Sequence, residues 1–158
     1  MTSQDKSELF QMVLENLRGR LNILVESALT AKEASTNEES KAENKYDTRG
    51  LEASYLASGQ ARRAQELKEK IFNTEKVELR NFGPDDSINV SAYVHIQVNE
   101  DQEQYIFILP AGGIEVEFRG KKIRTLSIDA PLGQQLYGMR EGDDFDFQGR
   151  FFEILAVR

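Results

Sequence analysis

The chain contains no cysteine and a single histidine, His95. Disulfide bridges, thiolate metal sites and cysteine nucleophiles are therefore excluded, and a histidine-based metal centre lacks a second imidazole. Tryptophan is absent, and the three prolines all lie at or after Pro84. Nothing in the first half forces a helix to break. No run approaches the ~20 apolar residues that a membrane helix requires. The opening residues, MTSQDKSELF, hold no basic stretch followed by an apolar one, so no secretory signal is expected and the expected location is the cytoplasm.

What the chain has in abundance is charge. Of its 158 residues, 30% are charged and 39% hydrophobic, and the formal net charge is −7. Such a balance suits a single domain, or a small domain with an extended appendage that exposes much surface per residue. Up to Glu75, 11 Lys/Arg face 13 Asp/Glu, net −2; the remainder sets 9 against 14, net −5. A broad nucleic-acid face needs the opposite sign. Any contact with nucleic acid would depend on a local patch.

The two halves have different hydrophobic periods. Leu14, Leu17, Leu21, Leu24, Ala28 and Ala31 recur at spacings of three and four, and Leu9, Phe10 and Val13 extend the stripe towards the N-terminus. The same spacing returns in Gly50, Ala53, Ala57, Gln60, Ala64, Leu67 and Ile71. These are the seams of two paired helices. Leucines on the first would face Gly and Ala on the second, which permits close packing. Residues 1–75 are thus expected to form a long antiparallel helical hairpin, each helix of ~30 residues spanning roughly 45 Å. Its tip is expected near 36–43, where Thr36 with Glu39 and Ser40 with Glu43 have the spacing of capping boxes.

From about residue 80 to 158 the period is that of strands. Val90, Ala92, Val94, Ile96 and Val98 alternate with Ser91, Tyr93, His95 and Gln97. Further strand runs are expected at 104–109, 114–118, 123–128, 143–146 within GDDFDFQ, and 150–157, separated by turn signals such as Arg119-Gly120 and Gln148-Gly149. A short helix is expected over Pro131–Tyr137, with proline at its start and Gly138 at its end. The fold class is α+β: a coiled-coil hairpin, then a small, mostly antiparallel sheet crossed by one helix.

Within residues 127–157, Ala130-Pro131-Leu132, Leu136-Tyr137-Gly138, Gly142-Asp143 and the closing segment Phe151 to Val157 resemble the C-terminal domain of the GreA/GreB transcript cleavage factors. The first half agrees: Glu43-Asn44 and Tyr46 stand where that family carries the acidic tip of its coiled coil. The resemblance covers nearly the whole chain, in the same domain order. It implies an FKBP-like C-terminal domain that docks on bacterial RNA polymerase at the mouth of its secondary channel. It further implies a coiled coil that enters the channel and stimulates the polymerase's own magnesium-dependent cleavage of backtracked RNA.

On this resemblance Glu43 and Glu39 would lend ligands to a magnesium ion shared with the polymerase, close to the RNA 3′ end. Asp129, Pro131 and Leu132 would lie at the docking loop. Ser40 stands where the family has an aspartate, Lys41 and Lys45 are interleaved with the acids, and Ala130 replaces the usual serine. A channel-occupying regulator or inhibitor of the polymerase without cleavage stimulation is the alternative. The expected chain is a monomer with no catalytic residues of its own and no tightly bound cofactor.

Arg18, Arg20, Arg62 and Arg63 fall at one level if the two seams pair about Ser40. They are candidates for contact with RNA or the channel wall, since guanidinium forks suit phosphates and carboxylates; exposed faces paired with acids such as Glu15 and Glu66 are the plainer reading. DNA is a further candidate partner. Gly112-Gly113 reads as a turn, because no phosphate-loop lysine accompanies it. Tyr137, Phe145, Phe147, Phe151 and Phe152 are expected mainly as packing residues. A stand-alone prolyl isomerase and a coiled-coil adaptor are the readings from other classes.

Overall fold

The computed structural model describes residues 1–36, 49–99 and 101–158. Two long helices, α1 (Ser3–Thr36) and α2 (Arg49–Glu75), precede six strands and one short helix. The strands are β1 (Tyr93–Val98), β2 (Gln102–Ile108), β3 (Glu115–Phe118), β4 (Lys121–Leu126), β5 (Asp144–Phe147) and β6 (Arg150–Val157), with α3 (Pro131–Leu136) between β4 and β5. The chain divides into two compact units, residues 16–71 and residues 1–15 together with 72–158. The seam assigns residues 1–15 to the hairpin; the compact division groups them with the sheet. The reason is their apolar side: Leu9, Phe10 and Val13 are buried, and the Phe10 ring meets Phe107 of β2 edge-on at 6.5 Å.

In the hairpin unit the expected seam is the buried one. Leu17, Ala31, Ala64 and Ile71 are buried, and Leu21, Leu24, Ala28, Ala53, Ala57, Gln60 and Leu67 are half-buried. Thr36 does not open a helix. It is the last residue of α1, and its hydroxyl bonds back to the carbonyls of Lys32 and Glu33 at 3.1 and 3.2 Å. A residue whose side chain competes for carbonyls one turn back suits a helix end. The second capping pair, Ser40 with Glu43, lies outside the described residues.

The sheet has the order β3-β4-β2-β1-β6-β5. Four of its pairings are antiparallel, but β2 and β4 run parallel, with Tyr105 beside Ile123 and Phe107 beside Thr125. The sheet is mostly antiparallel, as expected, and the parallel pairing of β2 with β4 makes it mixed. After β2 the chain skips a strand position to lay down β3, then returns through Arg119-Gly120 to fill the gap with β4. Both turn residues have positive φ, 51° and 73°, and so do Gln148 and Gly149 at 52° and 74°. Two-residue loops of this kind match the twist of the strands they join.

Alternation sorts β1 as expected: Val94, Ile96 and Val98 face one core with Ile106, Ile108, Phe152, Ile154 and Leu136. The strand begins at Tyr93, three residues later than its apolar pattern. Ser91 has φ 72° and donates its backbone N–H to Ile108 at 2.8 Å, which ends the extended run there. Helix α3 likewise stops one residue early, because Tyr137 is already extended and Gly138 turns at φ 84°.

Candidate functional site

The segment that resembles a docking loop is held by two glycines. A Cβ on Gly133 would sit 2.0 Å from the Ser127 carbonyl oxygen, and one on Gly112 would sit 2.8 Å from the Ser127 nitrogen. Only glycine lets the two backbones approach the Ser127 strand end so closely. The Asp129 N–H then bonds the Ser127 hydroxyl at 3.2 Å, and the Gln134 side-chain amide bonds the Asp129 carbonyl at 3.2 Å. Ala130, at the N-cap of α3, offers no side-chain cap. Asp129 and Pro131 are exposed, whereas Leu132 is half-buried and packs against the core. Two of the three expected docking residues thus share a surface, and the third anchors it from beneath.

Tyr137, expected as packing, is 54% exposed at the far end of α3, and Phe151 is 43% exposed. Phe145, Phe147 and Phe152 do form an aromatic group, with Phe145 stacked on Phe152 at 5.0 Å and Phe147 edge-on at 6.3 Å. Among these five aromatics, only Tyr137 and Phe151 can meet a partner with most of a ring face.

Glu39 and Glu43 lie outside the described residues. Arg18, Arg20, Arg62 and Arg63 are all exposed. Arg62 sits 3.8 Å from Glu66 one turn along α2, the exposed i,i+4 pairing that the plainer reading names. Between the two helices runs a groove of about 760 Å³, whose walls include Val25 and Leu29 on α1 and Ala57 and Ala61 on α2. The cations Lys32 and Lys68 line it and no carboxylate does.

His95 does not stand alone. Its ring stacks on Tyr105 at 4.5 Å and 19°, and its Nε2 lies 3.0 Å from the Glu103 carboxylate. The Tyr105 hydroxyl donates to the same carboxylate at 2.8 Å, and Lys121 lies 4.1 Å over the Tyr105 ring. The hydrogen bond from Tyr105, then that from His95, holds the Glu103 carboxyl below its ordinary range. Among the described residues no group of three or more His, Cys, Asp or Glu is arranged to hold a metal ion. No described helix is long and apolar enough to cross a membrane.

No family model matches the sequence, and no curated protein matches it. Solved structures do. The chain is similar to Gfh1. For Gfh1 of Thermus thermophilus, a GreA factor homolog, the likeness has 20% identity over 96% of this chain and 93% of that one, at a TM-score of 0.36. Gfh1 of Thermus aquaticus shares 19% identity over 98% and 94%, at 0.37. A further structure of the transcription factor Gfh1 shares 19% over 99% and 95%, at 0.35.

Sequence reasoning missed the His95–Tyr105–Glu103 group because its members come from two strands. The signal was there: alternation puts Tyr93 and His95 on one face of β1, and the short turn after Val98 sets His95 opposite Tyr105. It also missed Lys6, a lysine only 2% exposed; its position among the polar residues Ser3 to Glu8 at the start of α1 gave no sign of the segment that covers it.

Proposed function

We propose that the protein is a Gre-like transcription factor that binds bacterial RNA polymerase at its secondary channel and stimulates the polymerase's own cleavage of backtracked RNA. The observation that carries this reading is the seam of small residues along α2, with Ala53 and Ala57 half-buried and Ala64 buried. Two helices of 34 and 27 residues, with small residues on the facing side of the second, would make a pair narrow enough to enter a channel. The acids Glu38, Glu39, Glu43 and Asp47 all fall in the segment that joins them. A carrier of carboxylates into a deep cleft needs this arrangement of sequence.

The donor set of that segment is all oxygen, which suits magnesium. Glu39 and Glu43 would share the ion with the polymerase, where it would activate water and steady the departing oxygen. The chain's own part is to carry and orient those carboxylates. It adds no catalytic group, and its partners are the polymerase and the RNA 3′ end. Asp129 and Pro131, beside a backbone pinched by Gly112 and Gly133, would supply the docking surface, with Tyr137 exposed just past the end of α3.

The second reading, a channel regulator or inhibitor without cleavage, is favoured by Lys41 and Lys45, whose ammonium groups compete for the neighbouring carboxylates. One experiment separates the two. Backtracked polymerase complexes are incubated with the wild-type chain and with Glu39→Ala/Glu43→Ala. Shortening of the transcript by wild type alone supports cleavage stimulation. If neither shortens it and both displace an authentic cleavage factor, the chain is a regulator. Failure to bind the polymerase at all overturns both.

A further inference from the structure

Lys6 is the largest fully buried side chain of the protein, and it is charged. Burial of an ammonium is costly unless a partner compensates for the lost water. Its nitrogen donates to the backbone carbonyl of Arg80 and lies 4.9 Å over the Phe82 ring. These contacts use one of its three N–H donors and one aromatic face. The neighbouring acid on the same helix, Asp5, is engaged elsewhere. It accepts the Thr2 backbone N–H at 2.8 Å and pairs with Arg119 at 2.5 Å. Burial alone lowers the pKa of Lys6, from 10.5 to about 8, with no charged neighbour acting on it. The amine is still mostly protonated at neutral pH, and among the described residues no Asp or Glu side chain pairs with it.

Lys6 lines a pocket of about 290 Å³ together with Met1, Thr2, Ser3, Asn81, Phe82 and Arg158. That volume is on the order of ten waters at about 30 Å³ each. Among the described residues no Asp or Glu side chain lines it. Arg158 gives one terminal nitrogen to Glu141 and to the Val157 carbonyl, both at 2.7 Å. Its planar guanidinium carries further N–H donors. The Ser3 hydroxyl bonds Asn81 at 3.0 Å, which fixes the Asn81 carbonyl oxygen and leaves that residue's NH₂ group to donate. Arg80 stacks 5.4 Å over the outer side of the same Phe82 ring. The lining is thus rich in donors, cationic and closed on one side by an aromatic face.

We propose that this pocket is a binding site for a phosphate-class oxyanion, with Lys6 as its buried counter-charge, Arg158 and Asn81 as further donors, and Phe82 as the wall beside a substituent. A tetrahedral oxyanion accepts several hydrogen bonds at once, which suits a lining that holds donors of three types. It fills only part of the volume, so the phosphate of a monoester fits as well as the free ion. The lining of the site includes neither Asp129 nor Pro131, and the site does not rest on the polymerase reading.

The test uses the full chain and follows the Lys6 side-chain resonance by NMR during titration with inorganic phosphate and, separately, phenyl phosphate. Binding is expected to be saturable, to move the Lys6 titration midpoint upward from about 8, and to weaken as pH rises through that midpoint. Tighter binding of phenyl phosphate identifies an esterified ligand, and equal binding identifies the free ion. In Lys6→Met, which fills the same space without charge, affinity is expected to fall at least tenfold while the chain stays folded. Asn81→Leu gives a second, milder loss. A Lys6 resonance indifferent to both anions overturns the proposal. So does an equal response of wild type and Lys6→Met, which would mark a general salt effect.

Discussion

The two compact units solve the same problem, burying enough apolar surface, in opposite ways. The sheet unit closes a three-dimensional core: Val94, Ile96, Val98, Ile108 and Val157 are 0% exposed. The hairpin unit has a single line of contact, most of it only half-buried, and leaves Ile23, Leu29, Tyr55 and Leu56 more than half exposed. A core that is closed on all sides punishes any change of shape. A one-sided seam tolerates change, because neighbouring water and flexible side chains take up the difference. The glycines show the contrast most sharply. Gly112 and Gly133 of the sheet unit are places where no side chain fits, whereas a Cβ on Gly19 or Gly59 of the helices would meet nothing within 4 Å.

The largest effect expected from this comparison is that of Gly133→Ala. The added carbon must push the Ser127 backbone aside, and the cost should reach about 3 kcal/mol or more, in the range of severe overpacking. Urea denaturation measures it, and a loss below about 1 kcal/mol would mean that the loop is looser than the contact implies. Next comes a pair of truncations. Ile96→Ala should cost about 3 kcal/mol, while Leu24→Ala in the half-buried seam should cost about 1. Equal losses would erase the distinction between closed core and open seam.

The pH dependence of Lys6 belongs to the sheet unit alone. Its folded pKa, about 8, lies below the unfolded value of 10.5, so the unfolded chain binds more protons between these limits. Stability conferred by the uncharged amine is present above 10.5 and is lost as pH falls through about 8. Relative to Lys6→Met, the wild type should therefore gain stability as pH rises across that window, in phosphate-free buffer. A parallel pair of stability curves would show that Lys6 is solvated. The smallest effect has the opposite sign. Gly59→Ala should stabilise the hairpin by about 0.5–1 kcal/mol through helix propensity and reduced freedom of the unfolded chain. Circular dichroism melting detects it, and destabilisation would reveal a neighbour packed on that face.

The comparison also explains which parts of the molecule were legible beforehand. A helical seam is written at short range, so Leu17, Ala31, Ala64 and Ile71 could be named from spacing alone. Strand alternation is equally local, and it sorted Val94, Ile96 and Val98 correctly onto one face. The start of β1 was missed because apolar alternation continues through Val90 and Ala92, while the backbone turns at Ser91 to meet Ile108. Of the expected docking residues, Leu132 proved half-buried, since it lies one turn before Leu136 on the side of α3 that faces the core.

By itself, then, the sequence determined what depends on neighbours along the chain: two long helices with a small-residue seam, six strands, the turns, and the acids of residues 37–48. Only the tertiary structure decided the parallel pairing of β2 with β4, the stacking of His95 on Tyr105 against Glu103, and the burial of Lys6 beneath Phe82. Each of these joins residues that local period cannot relate. Their partners are chosen by packing and by the need to satisfy polar groups that folding removes from water.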